Sequence, residues 1–510
     1  MTTHSPVHPP AVTVTTRRSR CAAPRPLAAY RALAARFGRD QVYLLESAGG
    51  PAPDSRRSLV GFRTLLTVTV TRGRVEATGA PALTHLATSA MRRGLGLPAA
   101  DRGPLHLPSP GALWTALRAL NEAFAREEPD EPGRPDGDFG FLAFLGYDTV
   151  HYVENLPRLI PQEEDLPDLS LALFQGCLSY TAEQARTARP HAELVLADAP
   201  GWPELDAEAV RHALTIAAPA PADDPGCPDV PPPGRVRDST TPERFRADAR
   251  QALAHLRAGD IYQVQLGHEL TIESEADPVD VYTRLRVRNP SPYMYLAPFA
   301  GRTVIGASPE LFVRKDGDLL TMRPIAGTLP CGADPGQAAR QAAALRADPK
   351  EIAEHVMLVD LCRNDIGRVC RRDTLAAPDM LRTERYTRVL HLVSTVTGRT
   401  EPDTDVFDVI AALFPAGTMT GAPKIRAMEI IEALETRRRG LYAGAVGIIG
   451  HRGHLNLALC IRTLVHDGGT YRTRASAGVV ADSDPEREWT ETLAKCSAAH
   501  WAVTGEELLT

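Results

Sequence analysis

The sequence predicts an α+β protein, in which strands form a mixed core and helices flank it. Its 510 residues are 43% hydrophobic and 24% charged, a globular composition long enough for one large core or two to three domains. Segments with apolar residues at helical spacing stand between segments rich in β-branched residues. One proline-rich stretch, 217–238, divides the chain into two parts.

The first part of the chain, residues 1–216, is predicted to form a leader followed by a domain of helices and strands. Residues 1–25 are rich in Pro and Thr and lack the apolar core of a signal peptide, so we expect a disordered leader. PLAAYRALAARFG then predicts an amphipathic helix, and QVYLLESAGG and SLVGFRTLLTVTVTRGRVEATG predict strands. A further helix is predicted by apolar residues at helical spacing: Leu113, Leu117, Leu120 and Phe124. The strand-like segments LSLALFQGCLSYTAE and HAELVLADA complete an expected domain over 26–216.

The proline-rich stretch is expected to be a surface linker. Proline lacks the backbone donor that helix interiors and central strands need, so 217–238 cannot lie inside either. After it, a helix is predicted from Thr241 to about Ala258, followed by a strand. Helices and strands alternate from there, which predicts a second domain over 239–510.

Charge and cysteine usage exclude several classes of protein. A formal net charge of −6, with no basic tract carrying aromatics, argues against nucleic-acid binding. No run of 18 apolar residues is present, so a membrane-spanning helix is not expected. The eight cysteines are scattered and form no C-x-x-C motif, which indicates a reducing, cytoplasmic location.

Two pairs of glutamates suggest a metal site. Glu351 and Glu354, and again Glu488 and Glu491, stand three residues apart at the start of helix-like segments. On a helix this spacing puts both carboxylates on one face, where they repel unless a cation or solvent compensates them. Magnesium prefers such oxygen ligands. The alternative is a solvated acidic helix start, favoured by the helix dipole.

The second part of the chain resembles the chorismate-utilising enzymes, and the anthranilate synthase large subunits in particular. The resemblance runs from Thr241 to His500 and depends on ordered motifs: GDIYQVQL, GASPELF, RPIAGT, AEHVMLVDLCRND, HLVSTV, FPAGTMTGAPKIRAMEIIEALE, GLYAGAVGIIG and AGVVADSDPEREWTET. YLLES and RRSLVGF resemble the regulatory domain of anthranilate synthase large subunits. The resemblance implies a mixed β-sandwich core with flanking helices.

The resemblance also implies a magnesium ion and a general acid. The ion would be held by Glu351, Glu354, Glu488 and Glu491, partly through waters, and would bind the ring carboxylate of chorismate. Glu310 would protonate the departing C4 hydroxyl, which requires a raised pKa and hence a partly buried carboxyl group. The alternative for Glu310 is an exposed residue after a turn.

Two further catalytic residues follow from the resemblance, together with a set that binds substrate. His391 would remove the ring proton as pyruvate leaves, although a lone His in an apolar run is also typical of a core residue. Thr328 would help to hold the enolpyruvyl arm. The residues expected to bind chorismate are Thr418, Tyr442, Arg462, Ser476, Gly478, Lys495 and Gln263. Cations are needed here because chorismate carries two carboxylates.

The expected nucleophile is ammonia. Isochorismate and salicylate synthases carry a lysine where this chain has Gln263, which cannot act as a base and so disfavours attack by water. Aminodeoxychorismate synthases typically carry a nucleophilic lysine where this chain has Ala326. No cysteine stands in a G-x-C-x-G motif, so we expect a separate glutamine amidotransferase subunit to supply ammonia.

The expected product is anthranilate, formed by amination at C2 and elimination of pyruvate. Leu329 and Cys331 stand where the family usually has arginines, and Ser476 replaces a glycine beside a substrate carboxylate. These departures favour an alternative, an enzyme that stops at 2-amino-2-deoxyisochorismate. Aminodeoxychorismate synthase component I is a further alternative.

A feedback site and a non-enzymatic alternative complete the expectations. The residues that resemble a tryptophan pocket are Ser47, Asn289, Pro290, Ser291, Tyr293 and Met294. Tryptophan is therefore expected to inhibit, although a turn and a proline-rich loop would give the same pattern. The non-enzymatic alternative is an inactive homologue that senses an amino acid, and the intact glutamate set argues against it.

Overall fold

A computed structural model describes residues 12–98, 103–126, 139–161, 166–187, 190–217, 226–331, 334–386 and 389–509, with the side chains at 125, 126, 186, 328, 330 and 335 outside the description. None of the helices in these ranges is both long and apolar enough to cross a membrane.

The helices within the described ranges are α1 Pro26–Phe37, α2 Pro81–Gly94, α3 Ala112–Glu122, α4 Ala182–Arg186, α5 Ala207–Ala217, α6 Pro242–Ala258, α7 Pro278–Arg288, α8 Pro335–Ala347, α9 Pro349–Gly367, α10 Val406–Leu413, α11 Lys424–Leu434 and α12 Pro485–Thr504. Many begin with proline, whose missing N–H costs nothing in the first turn of a helix.

The strands are β1 Val12–Ala22, β2 Val42–Glu46, β3 Arg57–Thr71, β4 Arg74–Gly79, β5 Leu105–His106, β6 Phe124–Arg126, β7 Gly140–Leu145, β8 Leu169–Thr181, β9 His191–Asp198, β10 Val236–Asp238, β11 Gln263–Glu273, β12 Tyr293–Phe299, β13 Arg302–Ser308, β14 Leu311–Asp316, β15 Leu319–Met322, β16 Ile325–Pro330, β17 Ala376–Tyr386, β18 Val389–Arg399, β19 Gly421–Ala422, β20 Ala445–Gly450, β21 Leu455–Leu459, β22 Thr463–Asp467 and β23 Thr470–Val479.

These strands form two large sheets that share β3 and β8. Sheet A runs β1-β9-β8-β3-β2-β12-β13-β22-β23-β11, with β10 and β19 on the outer edge of β11. Sheet B runs β5-β4-β3-β8-β7-β20-β21-β14-β15-β18-β17, with β16 also paired to β18. The pairings in these two orders are antiparallel, and β1 also pairs in parallel with β6 through Val12–Val14.

The two sheets pack face to face, and helices cover their outer faces. One buried cluster lies between the sheets and includes Tyr43, Phe174, Phe144 and Phe299. The Phe144 and Phe299 rings, from different sheets, are 5.1 Å apart between centroids. Residues of α1, α5, α7 and α12 pack on sheet A, and residues of α2, α3, α9 and α10 pack on sheet B. The expected α+β sandwich with flanking helices is therefore confirmed.

Three expectations about chain organisation need correction. Val12–Ala22 were expected in a disordered leader but form β1, because alternate residues such as Val14 and Thr16 are buried and the strand pairs with β9. In the expected linker, 218–225 lie outside the described residues and Val236–Asp238 form β10. The segments 26–216 and 239–510 share both sheets through the β2–β12 and β7–β20 pairings, so they do not have separate cores.

Candidate active site

A cavity of about 300 Å³ collects almost all of the residues predicted to bind or transform chorismate. It lies where β11, β16, β18 and β23 meet the N-terminal turns of α9 and α12. The predicted residues that line it are Gln263, Glu310, Glu351, Glu354, His391, Thr418, Tyr442, Arg462, Ser476, Gly478, Glu488, Glu491 and Lys495. The remaining one, Thr328, pairs with His391 across β16 and β18, and its side chain lies outside the description.

The two helices that carry the glutamate pairs begin in the same way. Asp348 caps α9 by accepting hydrogen bonds from the backbone N–H groups of Lys350 and Glu351. Asp484 caps α12 by accepting from the N–H groups of the second and third helical residues, Glu486 and Arg487. A capped helix start leaves the first-turn side chains in defined directions, and the positive end of the helix dipole favours carboxylates there. This local structure directs both glutamate pairs towards one cavity.

Glu310, between β13 and β14, has the properties of a general acid. Its side chain is buried, and burial raises the pKa of its carboxyl group to about 8, although the Thr418 hydroxyl and the Lys495 ammonium oppose this rise. A carboxyl group with that pKa is mostly protonated at neutral pH, so it can donate a proton to a leaving oxygen. The alternative of an exposed turn residue is therefore wrong.

His391 faces the same cavity from β18. Its Nδ1 lies 3.0 Å from the carbonyl oxygen of Gly327 and donates a hydrogen bond to it, which leaves Nε2 as the proton acceptor of the ring. Burial lowers the pKa of His391 to about 4, so the ring is neutral at pH 7. The ring of Tyr386 packs edge-on against it, 5.0 Å away between centroids.

The four glutamates form an acidic wall of the cavity. Burial raises the pKa values of Glu351, Glu354 and Glu488, and Glu491 adds to the rise in all three. The carboxylates of the two helices therefore repel one another across the cavity, which is the situation that a divalent cation relieves. Among the described residues, however, no three acidic, His or Cys side chains converge closely enough to form a metal site.

Lysines occupy the places beside these carboxylates. The Nζ of Lys495 lies 2.6 Å from Oε1 of Glu491 and also donates to the Ser476 carbonyl oxygen at 2.8 Å. The Nζ of Lys350 lies 3.8 Å from Oε1 of Glu354. The four glutamates offer carboxylate oxygens, the donors that Mg²⁺ prefers, so the chemistry of the residue set fits this ion.

The opposite wall contains amide and hydroxyl groups from β11 and β23. A Cβ at Gly478 would lie 2.7 Å from Nε2 of Gln263 and 2.9 Å from Nε2 of Gln265, so a side chain at this position would displace both amides. Gln265 was not predicted as a site residue. Its signal was present, because residues two apart in a strand share a face and Gln263 was already predicted. Lys350 was also missed, although it stands beside Glu351 in the sequence.

The Oε1 atom of Gln263 is a candidate binding point for the nucleophile. It is buried, and no described residue donates a hydrogen bond to it. A buried acceptor without a donor costs free energy that a bound N–H group recovers. This arrangement suits ammonia or an amine in the cavity.

The sequence departures near the site do not all reach it. Ser476 lines the cavity and is buried, whereas Leu329 and Cys331 are not among its described lining residues. Leu329 pairs with Leu390 between β16 and β18, and Cys331 is partly exposed just after β16. Of the three departures, Ser476 is therefore the one in a position to act on a bound substrate.

The predicted feedback residues are only partly brought together. A second cavity, of about 380 Å³, lies at the β2 and β12 strands and is lined by Ser47, Tyr293 and Met294. The Ser47 hydroxyl contacts the carbonyl oxygens of Arg57 and Pro292, at 2.9 and 3.0 Å. The other three, Asn289, Pro290 and Ser291, are not among the described residues that line this cavity.

Known proteins with the same sequence features and fold are chorismate-dependent enzymes. The family model of the chorismate binding enzymes matches residues 108–500. A 2-amino-4-deoxychorismate synthase of Streptomyces globisporus is 56% identical over 500 residues, covering 98% of each chain. Anthranilate synthase component 1 of Streptomyces coelicolor is 40% identical over 404 residues, covering 77% of this chain and 78% of the relative.

A solved structure agrees with these sequence matches. Anthranilate synthase component I from Streptococcus pneumoniae superposes with a TM-score of 0.67 at 28% identity, covering 87% of this chain and 92% of the other. From the matched family model, the length and identity of the sequence matches and the shared fold, we conclude that the chain belongs to the chorismate-utilising enzymes, as a member of the anthranilate synthase component I type.

Proposed function

We propose that this protein aminates chorismate at C2, expels the C4 hydroxyl and releases the product with its enolpyruvyl arm still attached. The name of the Streptomyces globisporus relative describes that compound: an amino group at position 2 and no hydroxyl at position 4. This compound is identical to the 2-amino-2-deoxyisochorismate named above as an alternative, because both names describe the same ring substituents. This relative therefore favours the alternative over anthranilate as the product.

The observation that carries the proposal is the buried Glu310 carboxyl group, which lines the cavity and whose pKa is raised by burial. In the proposed reaction ammonia bonds to C2, the ring double bonds shift, and the C4–O bond breaks with its electron pair. The departing oxygen takes the Glu310 proton and leaves as water. A pKa of about 8 makes the proton available at neutral pH and keeps the carboxyl group neutral before the reaction.

The nucleophile is assigned from Gln263 and Ala326. The Gln263 amide oxygen is a buried acceptor suited to hold ammonia, and an amide cannot take a proton from water. Ala326 lines the cavity without any nucleophilic group, which disfavours an enzyme-bound amine and hence amination at C4. Ammonia attack at C2 is the chemistry that fits both residues.

The weak basicity of His391 supports retention of the arm. Loss of pyruvate requires a base to remove the C2 proton, and a ring with a pKa of about 4 is a poor acceptor at pH 7. The product, which keeps both carboxylates and its enolpyruvyl arm, then leaves before the second step.

The proposal also assigns the positive charges that would bind the two carboxylates of chorismate: a magnesium ion and the Arg462 guanidinium. Glu351, Glu354, Glu488 and Glu491 would hold Mg²⁺, which when bound polarises the ring carboxylate. Arg462 would pair with the other carboxylate, that of the enolpyruvyl arm, since its guanidinium lines the cavity and interacts electrostatically with Tyr442. Ammonia is expected from a separate glutamine amidotransferase subunit, and a cytoplasmic location suits both.

The experiment that tests the proposal measures three quantities in one reaction. The protein is incubated with chorismate, Mg²⁺ and ammonium, and chorismate loss, pyruvate and the mass of the product are followed. We expect chorismate to disappear without pyruvate, with a product that carries one nitrogen and keeps all carbons. Stoichiometric pyruvate would establish anthranilate formation instead.

A further inference from the structure

Tyr442, Ser476 and Gln265 form a hydrogen-bonded chain along the non-acidic wall of the cavity. The Tyr442 and Ser476 hydroxyl oxygens are 2.5 Å apart, and the Ser476 hydroxyl donates to Oε1 of Gln265 at 2.9 Å. All three side chains line the cavity, and Ser476 is 1% exposed.

The position of Ser476 is made possible by the facing strand. Ser476 of β23 stands opposite Gly267 of β11. A Cβ at Gly267 would come within 2.9 Å of the Ser476 Cβ and within 2.3 Å of the Ala475 carbonyl oxygen. Glycine at position 267 therefore leaves room for a side chain at 476, and the serine hydroxyl reaches Gln265 along the same strand.

The direction of the hydrogen bonds determines what Tyr442 can do. A serine hydroxyl has one proton, and the proton of Ser476 is used by Gln265, whose Oε1 can only accept. The Tyr442–Ser476 contact must then use the tyrosine proton, so Tyr442 donates to Ser476. In this arrangement Tyr442 has no proton left to donate to a bound substrate.

That proton matters for the second reaction step. Elimination of pyruvate transfers the C2 proton to a base, forms the last double bond of the aromatic ring and breaks the C3–O bond. The electron pair leaves on the enolpyruvyl oxygen, which takes a proton and becomes pyruvate. Tyr442 and the Arg462 guanidinium both line the cavity and interact electrostatically, and in the proposed binding mode the arm carboxylate lies beside Arg462. A hydroxyl donor there would stabilise the departing enolate.

We propose that Ser476 and Gln265 determine the product by holding the Tyr442 hydroxyl away from the enolpyruvyl arm. This inference rests on the proposed function, because it explains why the arm is kept. Ser476 and Gln265 act as positioning residues, since they work through Tyr442. Their removal frees a donor for the second step, and a single donor to a developing oxyanion is typically worth on the order of 100-fold in rate.

The test uses the aminated compound itself. Wild-type protein makes the compound from chorismate, and the purified compound is then given to wild type, Ser476→Gly and Gln265→Leu with Mg²⁺. Pyruvate release is measured by a coupled dehydrogenase. We expect each variant to release pyruvate at least tenfold faster than wild type. Using the purified compound keeps the result independent of any loss in amination.

A double variant separates the effect of the freed Tyr442 hydroxyl from the effect of the space that the missing Ser476 side chain leaves in the cavity. Tyr442→Phe in the Ser476→Gly background should return pyruvate release to the wild-type rate. If this double variant still releases pyruvate like Ser476→Gly, or if neither single variant exceeds wild type while circular dichroism shows a folded protein, the inference is wrong. Should Ser476→Gly not fold, Gln265→Leu alone decides the matter. Stoichiometric pyruvate from wild type would instead refute the proposed function.

Discussion

Glu310→Gln replaces the proposed general acid by an amide of nearly the same shape. The amide cannot donate a proton to the C4 oxygen, so amination should fall on the order of 10²- to 10⁴-fold. The same change should stabilise the protein at neutral pH, because the buried carboxyl group opposes folding whenever the unfolded chain would ionise it. Loss of activity together with a gain in stability is the signature to look for.

The magnitude of the stability gain follows from the pKa of Glu310. Burial raises this pKa from 4.5 to about 8, so the folded state holds the proton between those values while the unfolded state releases it. At 1.36 kcal/mol per pKa unit, the free energy of unfolding of wild type relative to the amide variant falls by about 3 kcal/mol at pH 7 and about 5 kcal/mol by pH 9. Below about pH 4 both states are protonated and the difference disappears.

Urea denaturation at pH 4, 7 and 9 checks this prediction. The midpoint for Glu310→Gln should move to higher urea at pH 7 and 9 and match wild type at pH 4, with an unchanged slope. Glu208→Gln serves as the control, because the Glu208 side chain is 84% exposed and should show no such trend. A destabilised Glu310→Gln, or a gain that does not change with pH, would refute a protonated, buried Glu310.

Three other predictions concern the metal, a feedback ligand and the support of the site. Glu354→Gln and Glu491→Gln should each abolish turnover at millimolar Mg²⁺ without lowering Tm, and full activity after exhaustive chelation would contradict the metal assignment. Tryptophan should bind in the cavity lined by Ser47 and inhibit the enzyme, and Ser47→Arg should relieve the inhibition. If titration calorimetry detects no binding of tryptophan, the feedback site is wrong. Glu435→Ala should lower the free energy of unfolding, measured by urea denaturation, by about 3–5 kcal/mol. The reason is that it leaves the buried Arg439 and Arg474 guanidiniums without their carboxylate. The control is Glu429→Ala, which removes an exposed ion pair with Arg426 and should lower the free energy of unfolding by less than about 1 kcal/mol. Equal losses for the two variants would contradict a stabilising role for the buried carboxylate.

Much of the candidate site was predictable because its residues lie in ordered motifs. The two Glu-x-x-Glu pairs were visible from helical spacing, and capped helix starts indeed point both pairs into one cavity. Glu310 and His391 were predicted from the resemblance and line that cavity as well. Helical and strand periodicity also predicted most of the elements around them. The leader was mispredicted, because Val12–Ala22 become a strand only through pairing with β9, which lies more than 160 residues further along the chain.

The sequence by itself determined which chemical groups this protein places around a substrate: four carboxylates, one further acid, a histidine, an arginine and a lysine. Only the tertiary structure decided the state of those groups. The pKa of Glu310 depends on burial by distant segments, and the Ser476 hydroxyl contacts the Tyr442 hydroxyl while it donates to Gln265, which lies 211 residues before Ser476. The fold also separated Ser476, inside the cavity, from Leu329 and Cys331, which do not line it. Burial and hydrogen-bond direction depend on which neighbours the fold brings together, and a motif does not specify its neighbours.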